Sequence, residues 1–198
     1  MTPRARAGIM ADAMATDNEC PCNLHDAIQK FLSVVCISAG TTRGQPAGCL
    51  DAVRGYLGGV DLGNIPRMRR GFREWLDGHT EGILVAMGGV GAGRAWGLAR
   101  KALNLFLRDC LYNHYLRDRY GLGRLEGWLE IPLDSIVAHK LEELARKNHR
   151  GLPRWPGLKG LTPEVNAQFQ EFASWYAREK ENLAGAVLLD NCLWAYNR

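Results

Sequence analysis

The central stretch 95–119 restricts the fold more than any other part of the chain, because it contains no proline and no glycine after Gly97. Its apolar residues recur at helical spacing in two rows: Leu98, Ala102, Leu105 and Phe106 in one, and Leu103, Leu107, Cys110, Leu111 and Tyr115 in the other. A helix that is apolar on more than one side is normally buried. The stretch therefore predicts a long, buried helix at the centre of the molecule.

Start and stop signals predict further helices on both sides of this stretch. Asn23 is a candidate N-cap of a first helix, which Gly40 would end, and a short helix is expected near 48–57. Pro66 suits the first turn of a helix that would end near Gly78. The later starts are Asp134 or Ser135 after Pro132, Thr162 before Pro163 and Glu164, and a last helix over about 183–196.

These patterns together predict an all-α fold, since no alternating strand pattern of useful length occurs. We expect a loose N-terminus over 1–22 and a helical domain over 23–198. That domain would divide into an N-terminal lobe over 23–90 and a second region over 91–198.

Composition bounds the class of protein: 46% of the residues are hydrophobic and 23% are charged, which is typical of a soluble globular chain. The six cysteines show no zinc-ligand spacing, and no secretory signal or membrane-spanning run occurs. We therefore expect a cytoplasmic protein with neither a metal nor another cofactor. Net charge is only +4, but arginines cluster within 67–73 and again within 94–124. Such clusters can neutralise phosphates, and they are equally typical of a solvated helix face.

The glycine-rich segment 88–94 resembles a phosphate-binding loop only in part. Arg94 stands where that loop carries lysine, and Ala95 stands where it carries a magnesium-binding hydroxyl. The strands of a nucleotide-binding α/β fold are also missing from the pattern.

Two segments are better candidates for chemistry. Lys101 lies beside the apolar row of the central stretch, and burial penalises the charged form of an amine and so favours the neutral, nucleophilic form. On its own, a lysine at such a position usually extends its ammonium to solvent. Asp134 follows Pro132 at a helix start, where a carboxylate commonly acts as an N-cap.

Taken together, the two segments resemble the helix-hairpin-helix DNA glycosylases. That family carries a glycine-rich hairpin that ends in an arginine and the catalytic lysine, and later a proline, an aspartate and an aliphatic helix start. Here the first element reads GLARKA, with Ala99 in place of the second hairpin glycine, and the second reads PLDSIVA. The long spacing between Lys101 and Asp134 is similar to that of archaeal 8-oxoguanine glycosylases, and Asp190 and Trp194 match an aspartate and a tryptophan of their base pocket.

The resemblance implies two packed helical lobes with the active site between them. Lys101 would be the attacking amine and Asp134 the carboxylate beside it. Asp190 and Trp194, with Trp96 as a weaker choice, would bind the flipped base. The last set implied, for binding DNA, is Gly97, Arg94 and Arg100. The expected partner is double-stranded DNA, bound by a monomer.

Two substrates remain open at this point: oxidised guanine in DNA repair, and a bulky modified cytosine of phage DNA in antiviral defence. The alternative from another class is a non-catalytic helical module that binds nucleic acid. Such a module needs the arginine clusters but not a lysine–aspartate pair.

Overall fold

The computed structural model describes residues 23–38, 40–42, 45–88 and 92–195, with side chains from residue 95 onward in the last segment. These residues form eight α-helices and three short 3-10 turns, and the described ranges contain no strand, so the predicted all-α class is confirmed for them. The helices are α1 Leu24–Val35, α2 Cys49–Gly58, α3 Arg69–Ala86, α4 Ala92–Tyr112, α5 His114–Tyr120, α6 Ser135–Lys147, α7 Pro163–Glu179 and α8 Leu189–Ala195.

Helix α4 is the central buried helix that the sequence predicts. Leu103, Phe106, Leu107 and Leu111 are fully or almost fully buried in it. Helix α3 packs along α4, α1 and α2 contact it from another side, and α6 packs against α7 and α8. Apolar side chains from all of these helices join one continuous core, in which α4 is the shared element.

The predicted bounds of two helices are wrong. The stretch 95–119 is divided at Asn113, whose side-chain oxygen accepts a hydrogen bond from the backbone N–H of Leu116 at 3.2 Å and caps α5. Helix α3 continues past Gly78 to Ala86, since Ile83 on its next turns is buried and outweighs the low helix propensity of one glycine.

Both ends of the described chain also differ from expectation. Helix α1 ends at Val35, before Gly40, and the last helix begins only at Leu189, after a 3-10 turn over Ala186–Leu188. The loose N-terminus predicted over 1–22 lies outside the described residues, and the division into two lobes stays a prediction.

Three predicted N-caps are confirmed, and one of them belongs to the candidate site. The side chains of Asn23, Asp134 and Thr162 accept backbone hydrogen bonds at the starts of α1, α6 and α7. Of the two candidates before α6, the cap is therefore Asp134 and not Ser135. Within the described ranges, no helix is both long enough and apolar enough to cross a membrane.

Candidate functional site

A cavity of about 600 Å³ opens between the end of α1, one face of α4, the start of α6 and helix α8. Its walls are Val35, Cys36, Ser38 and Thr41 near the end of α1, Lys101, Leu105 and Arg108 on α4, Pro132 and Asp134 before α6, and Asp190, Asn191, Trp194 and Ala195 on α8. Four of the predicted site residues, far apart in the sequence, therefore meet at one concave site: Lys101, Asp134, Asp190 and Trp194.

Lys101 and Asp134 form an ion pair on the wall of this cavity. The Nζ atom of Lys101 donates to Oδ2 of Asp134 at 3.2 Å. The two side chains are only 14% and 19% exposed, so both are largely withdrawn from bulk water yet can be reached from the cavity. The amine and the acid thus face one ligand-sized space.

The carboxylate of Asp134 is held by the fold itself. Its Oδ1 atom accepts the backbone N–H of Val137 at 2.9 Å, which caps α6. The other oxygen remains for Lys101. Since the cap fixes the carboxylate and the ion pair fixes the amine, the relative position of the two groups is set before any ligand binds.

Asp190 lies on the opposite wall and is 3% exposed. Its Oδ2 atom forms a short ion pair with the guanidinium of Arg108. Burial raises the pKa of the Asp190 carboxyl, and the charge of Arg108 opposes that rise. Arg108 also donates from Nε to Oδ1 of Asp109 at 2.9 Å, so its guanidinium joins two carboxylates.

Trp194 extends along the rim of the cavity. It is 46% exposed, although most large apolar side chains of the described residues are buried. A half-exposed indole at a cavity mouth can stack on a planar ligand.

Trp96 does not belong to this cavity, and its assignment to a base pocket is corrected. The side chain is 9% exposed, and the guanidinium carbon of Arg100 lies 5.2 Å from the centre of its ring. Buried under that arginine, the indole has no face free for an extruded base.

Arg100 likewise is not free to bind DNA. The residue is 5% exposed, and its guanidinium forms ion pairs with Asp77 and Glu130 and donates to Thr80 Oγ1 at 2.9 Å. Because a buried arginine with two carboxylate partners cannot turn toward a phosphate, the prediction of a DNA contact is wrong for this side chain.

Gly97 has a packing role instead of the predicted hairpin role. It lies inside α4, which begins at Ala92, so its N–H is not at the helix terminus. A Cβ atom at this position would collide with the backbone oxygen of Leu158 and would lie 2.8 Å from Cβ of Leu161. The glycine therefore lets the connector before α7 approach α4 closely. Arg94, the remaining predicted DNA contact, has a side chain outside the described part of the structure.

Sequence reasoning missed Arg108 and Cys36 as members of the site. Lys101, Leu105 and Arg108 stand at i, i+4 and i+7, so they share one helix face, and this spacing could have revealed the arginine. No sequence signal brings Cys36 to the cavity. Burial raises the pKa of its thiol to about 12.

A second cavity of about 640 Å³ lies on another side of α4, between α3 and α7. Arg69 and Arg73, from the first predicted arginine cluster, lie on its α3 wall, and Arg100 also lines it. Consecutive residues of α4, Arg100 and Lys101, therefore face two different cavities.

The described residues contain no group of three or more His, Cys, Asp or Glu side chains arranged to hold a metal ion. Comparison of the chain with models of protein families, with curated proteins and with solved structures found no match.

Proposed function

We propose that this protein is a DNA glycosylase of the helix-hairpin-helix type, which excises a damaged or modified base through Lys101 and Asp134. The observation that carries the proposal is the 3.2 Å pair of amine and carboxylate on the wall of a cavity of about 600 Å³. An ion pair that served stability alone would not need a concave site. Asp190 and Trp194 line the same cavity, and they supply a hydrogen-bond acceptor and a stacking surface for a base.

The packing of α3 along α4 supports a helix-hairpin-helix. The connection between these helices is rich in glycine, and Gly88 adopts a positive φ of 87°, which favours glycine. In our proposal the N-terminus of α4, rather than the segment at Gly97, holds a backbone phosphate through its N–H groups and the helix dipole.

Base excision requires that the target nucleotide leave the duplex, because the bond between base and sugar is out of reach while the base is stacked inside it. In the proposed complex the base enters the cavity and stacks on Trp194, while Asp190 accepts a hydrogen bond from its edge. The anomeric carbon of the sugar faces the amine of Lys101, with the carboxylate of Asp134 beside it.

The proposed reaction begins at the amine of Lys101 after it has given up a proton. The amine nitrogen forms a bond to the anomeric carbon while the bond from that carbon to the base breaks, and the base leaves with the electron pair and takes up a proton. The sugar ring opens to a Schiff base. Loss of a proton from the neighbouring carbon then expels the 3′ phosphate and nicks the strand.

Asp134 has two tasks in this scheme. As the sugar loses the base it gains positive charge, which the carboxylate stabilises. The same carboxylate first accepts the proton that Lys101 must lose and passes it to the departing base, so that it is ionised again while the sugar carries the positive charge. Both tasks depend on the negative charge and not on the shape of the side chain.

The cavity volume lies in the range of pockets that enclose drug-sized ligands. It therefore has room for an oxidised purine and also for a cytosine that carries a bulky substituent. We keep both substrates in the proposal, with the corresponding roles in repair and in antiviral defence.

A panel of duplexes, each with one modified base, tests the proposal. The panel includes 8-oxoguanine and glucosylated 5-hydroxymethylcytosine, and the assay scores abasic sites and strand nicks. Borohydride in a parallel reaction reduces the Schiff base to a stable protein–DNA adduct. We expect an adduct with the wild type and none with Lys101→Ala.

Lys140→Ala is the matched control, since this lysine also pairs with a carboxylate, Glu143 at 2.9 Å, but lies on the surface of α6 away from the cavity. It should form the adduct normally. Tight binding of DNA without any abasic product or adduct would instead support the non-catalytic module and contradict the proposal.

A further inference from the structure

Among the described residues that line the cavity, Arg108 is a cation to which the proposed reaction gives no task. Its guanidinium is 19% exposed and lies against the 4% exposed carboxylate of Asp190, one turn of α4 beyond Leu105 and two beyond Lys101. The partner Asp109 fixes the guanidinium from its other side, with Nη2 2.8 Å from Oδ1. An arginine anchored in this way can orient a neighbouring carboxylate without touching the ligand itself.

We propose that Arg108 is a positioning residue that holds Asp190 ionised, as a fixed hydrogen-bond acceptor for an N–H donor on the edge of the flipped base. The inference rests on the proposed function. An ionised carboxylate only accepts hydrogen bonds, whereas a protonated one can also donate. A buried carboxylate without a cationic partner tends to take up a proton, and so its selectivity depends on Arg108.

The class of base follows from this geometry. The amino group of cytosine and the ring N–H that distinguishes 8-oxoguanine from guanine are both donors that Asp190 could bind. A uracil-type base has a carbonyl oxygen where cytosine has the amino group, so an acceptor fixed for the amino group would face that oxygen, and the nearest donor of the uracil ring is the N–H at position 3. The two substrates kept in the proposed function therefore both offer a donor that Asp190 could accept.

The charges that face Asp190 come from three parts of the fold. Helix α4 contributes two cations and a phenol, the start of α6 contributes an acid, and the end of α1 contributes a thiol. These groups are Lys101, Arg108 and Tyr112 on α4, Asp134 at α6 and Cys36 after α1. Asp134 raises the pKa of Asp190 and Lys101 lowers it, and each effect is smaller than the lowering by Arg108. Removal of Arg108 should therefore dominate any change in the titration of Asp190.

The test measures single-turnover excision by the full chain from pH 5 to 9, on whichever panel duplex the wild type cleaves fastest. The variants are Arg108→Met, Arg108→Lys and Asp190→Asn. Since Asp190 must be ionised to act, we expect the acidic limb of the Arg108→Met profile to move upward by at least one pH unit. At a pH below the acidic limbs of both profiles, this displacement means that Arg108→Met excises about tenfold or more slowly than the wild type, because the rate falls tenfold per pH unit there. Arg108→Lys should keep the limb near its wild-type position.

Two further measurements separate this role from a structural one. In the Asp190→Asn background, Arg108→Met should no longer move the limb, since no carboxylate remains for it to hold. A duplex with glucosylated 5-hydroxymethyluracil should be a poorer substrate than the matching cytosine duplex for the wild type, and the difference should shrink in Asp190→Asn. Thermal unfolding identifies a variant that is merely unfolded, in which case Arg108→Lys decides the matter.

An active wild type whose acidic limb stays in place in folded Arg108→Met, or whose rate falls equally at every pH, would overturn the role of Arg108 and leave the glycosylase intact. A wild type that makes no abasic sites from any panel duplex would overturn the proposed function, and this inference with it.

Discussion

Asp134→Asn is the substitution that best separates chemistry from folding, because the two carboxylate oxygens of Asp134 have different partners. Oδ1 accepts the N–H of Val137 at 2.9 Å, and Oδ2 accepts from Lys101 at 3.2 Å. Asparagine caps a helix about as well as aspartate, so the bond to Val137 should survive. What the substitution removes is the negative charge opposite the amine.

The effect on excision should be large. One preorganised electrostatic group contributes about 2.7–4 kcal/mol to a transition state, which is a loss of about 10²–10³-fold in rate when it is removed. We expect this loss in the single-turnover rate of Asp134→Asn. Lys101→Ala should lose the borohydride adduct altogether.

The effect on stability should be small by comparison. The two side chains are 14% and 19% exposed, so the cost lies between about 1 kcal/mol for a surface pair and about 3–5 kcal/mol for a fully buried pair. We expect a value near the lower end, about 1 kcal/mol, because the ammonium of Lys101 can still be reached by water from the cavity. For a chain of this size that corresponds to a fall of about 2–4 °C in Tm. Asp134→Ala also loses the cap, about 1 kcal/mol more, and its Tm should fall by roughly twice as much.

The assay pairs single-turnover excision with thermal unfolding for Asp134→Asn and Asp134→Ala. The expected pattern is two variants with similarly low excision and clearly different Tm values. Near-normal excision by Asp134→Asn would remove the charge of Asp134 from the mechanism. If the excision rate instead falls in proportion to the loss of Tm in the two variants, Asp134 contributes only to the stability of the fold.

Three further predictions concern other parts of the molecule. Gly97→Ala should destabilise the protein by about 1–3 kcal/mol, because the added Cβ would collide with the backbone of the connector before α7. Gly78→Ala should stabilise it by up to about 1 kcal/mol, because nothing lies within 4 Å of the added Cβ and alanine favours the helix. Urea unfolding measures both free energies. Burial lowers the pKa of His79, whose Nδ1 is 2.9 Å from the Tyr56 hydroxyl, so the unfolded chain binds protons first and stability should fall as the pH drops below about 6.5. His79→Gln should flatten that dependence, and an unchanged slope would contradict the assignment. At pH 8 the Cys36 thiol, with a pKa of about 12, should react with iodoacetamide about 10³-fold more slowly than a free cysteine peptide, as peptide mass mapping would show.

Much of the helical architecture could be predicted from local chemistry. The caps at Asn23, Asp134 and Thr162 and the buried character of α4 all follow from residues close together in the sequence. The break at Asn113 follows from a local cap, but the end of α3 depends on packing: the helix passes through Gly78 because Ile83 and Leu84 are buried further along it. Local signals do not contain that information.

The candidate site divides in the same way. Lys101, Asp134, Asp190 and Trp194 were placed together by a motif order that the geometry of the cavity matches. Arg100 was misassigned because sequence cannot show that Asp77 and Glu130 enclose its guanidinium. Helical spacing places Arg108 on the same face of α4 as Lys101, but its contact with Asp190 depends on where the fold brings α8.

The close contact at Gly97 has a consequence for the amine one turn further along α4. A lysine side chain has four rotatable bonds, so an unrestrained amine would sweep through a wide volume and lose entropy on reaching a substrate. Here the backbone of the connector packs against α4 at Gly97, one turn before Lys101, and Asp134 holds the amine of Lys101 at 3.2 Å. Because both the backbone and the amine of this lysine are held in place, most of the conformational entropy that attack requires is lost when the chain folds.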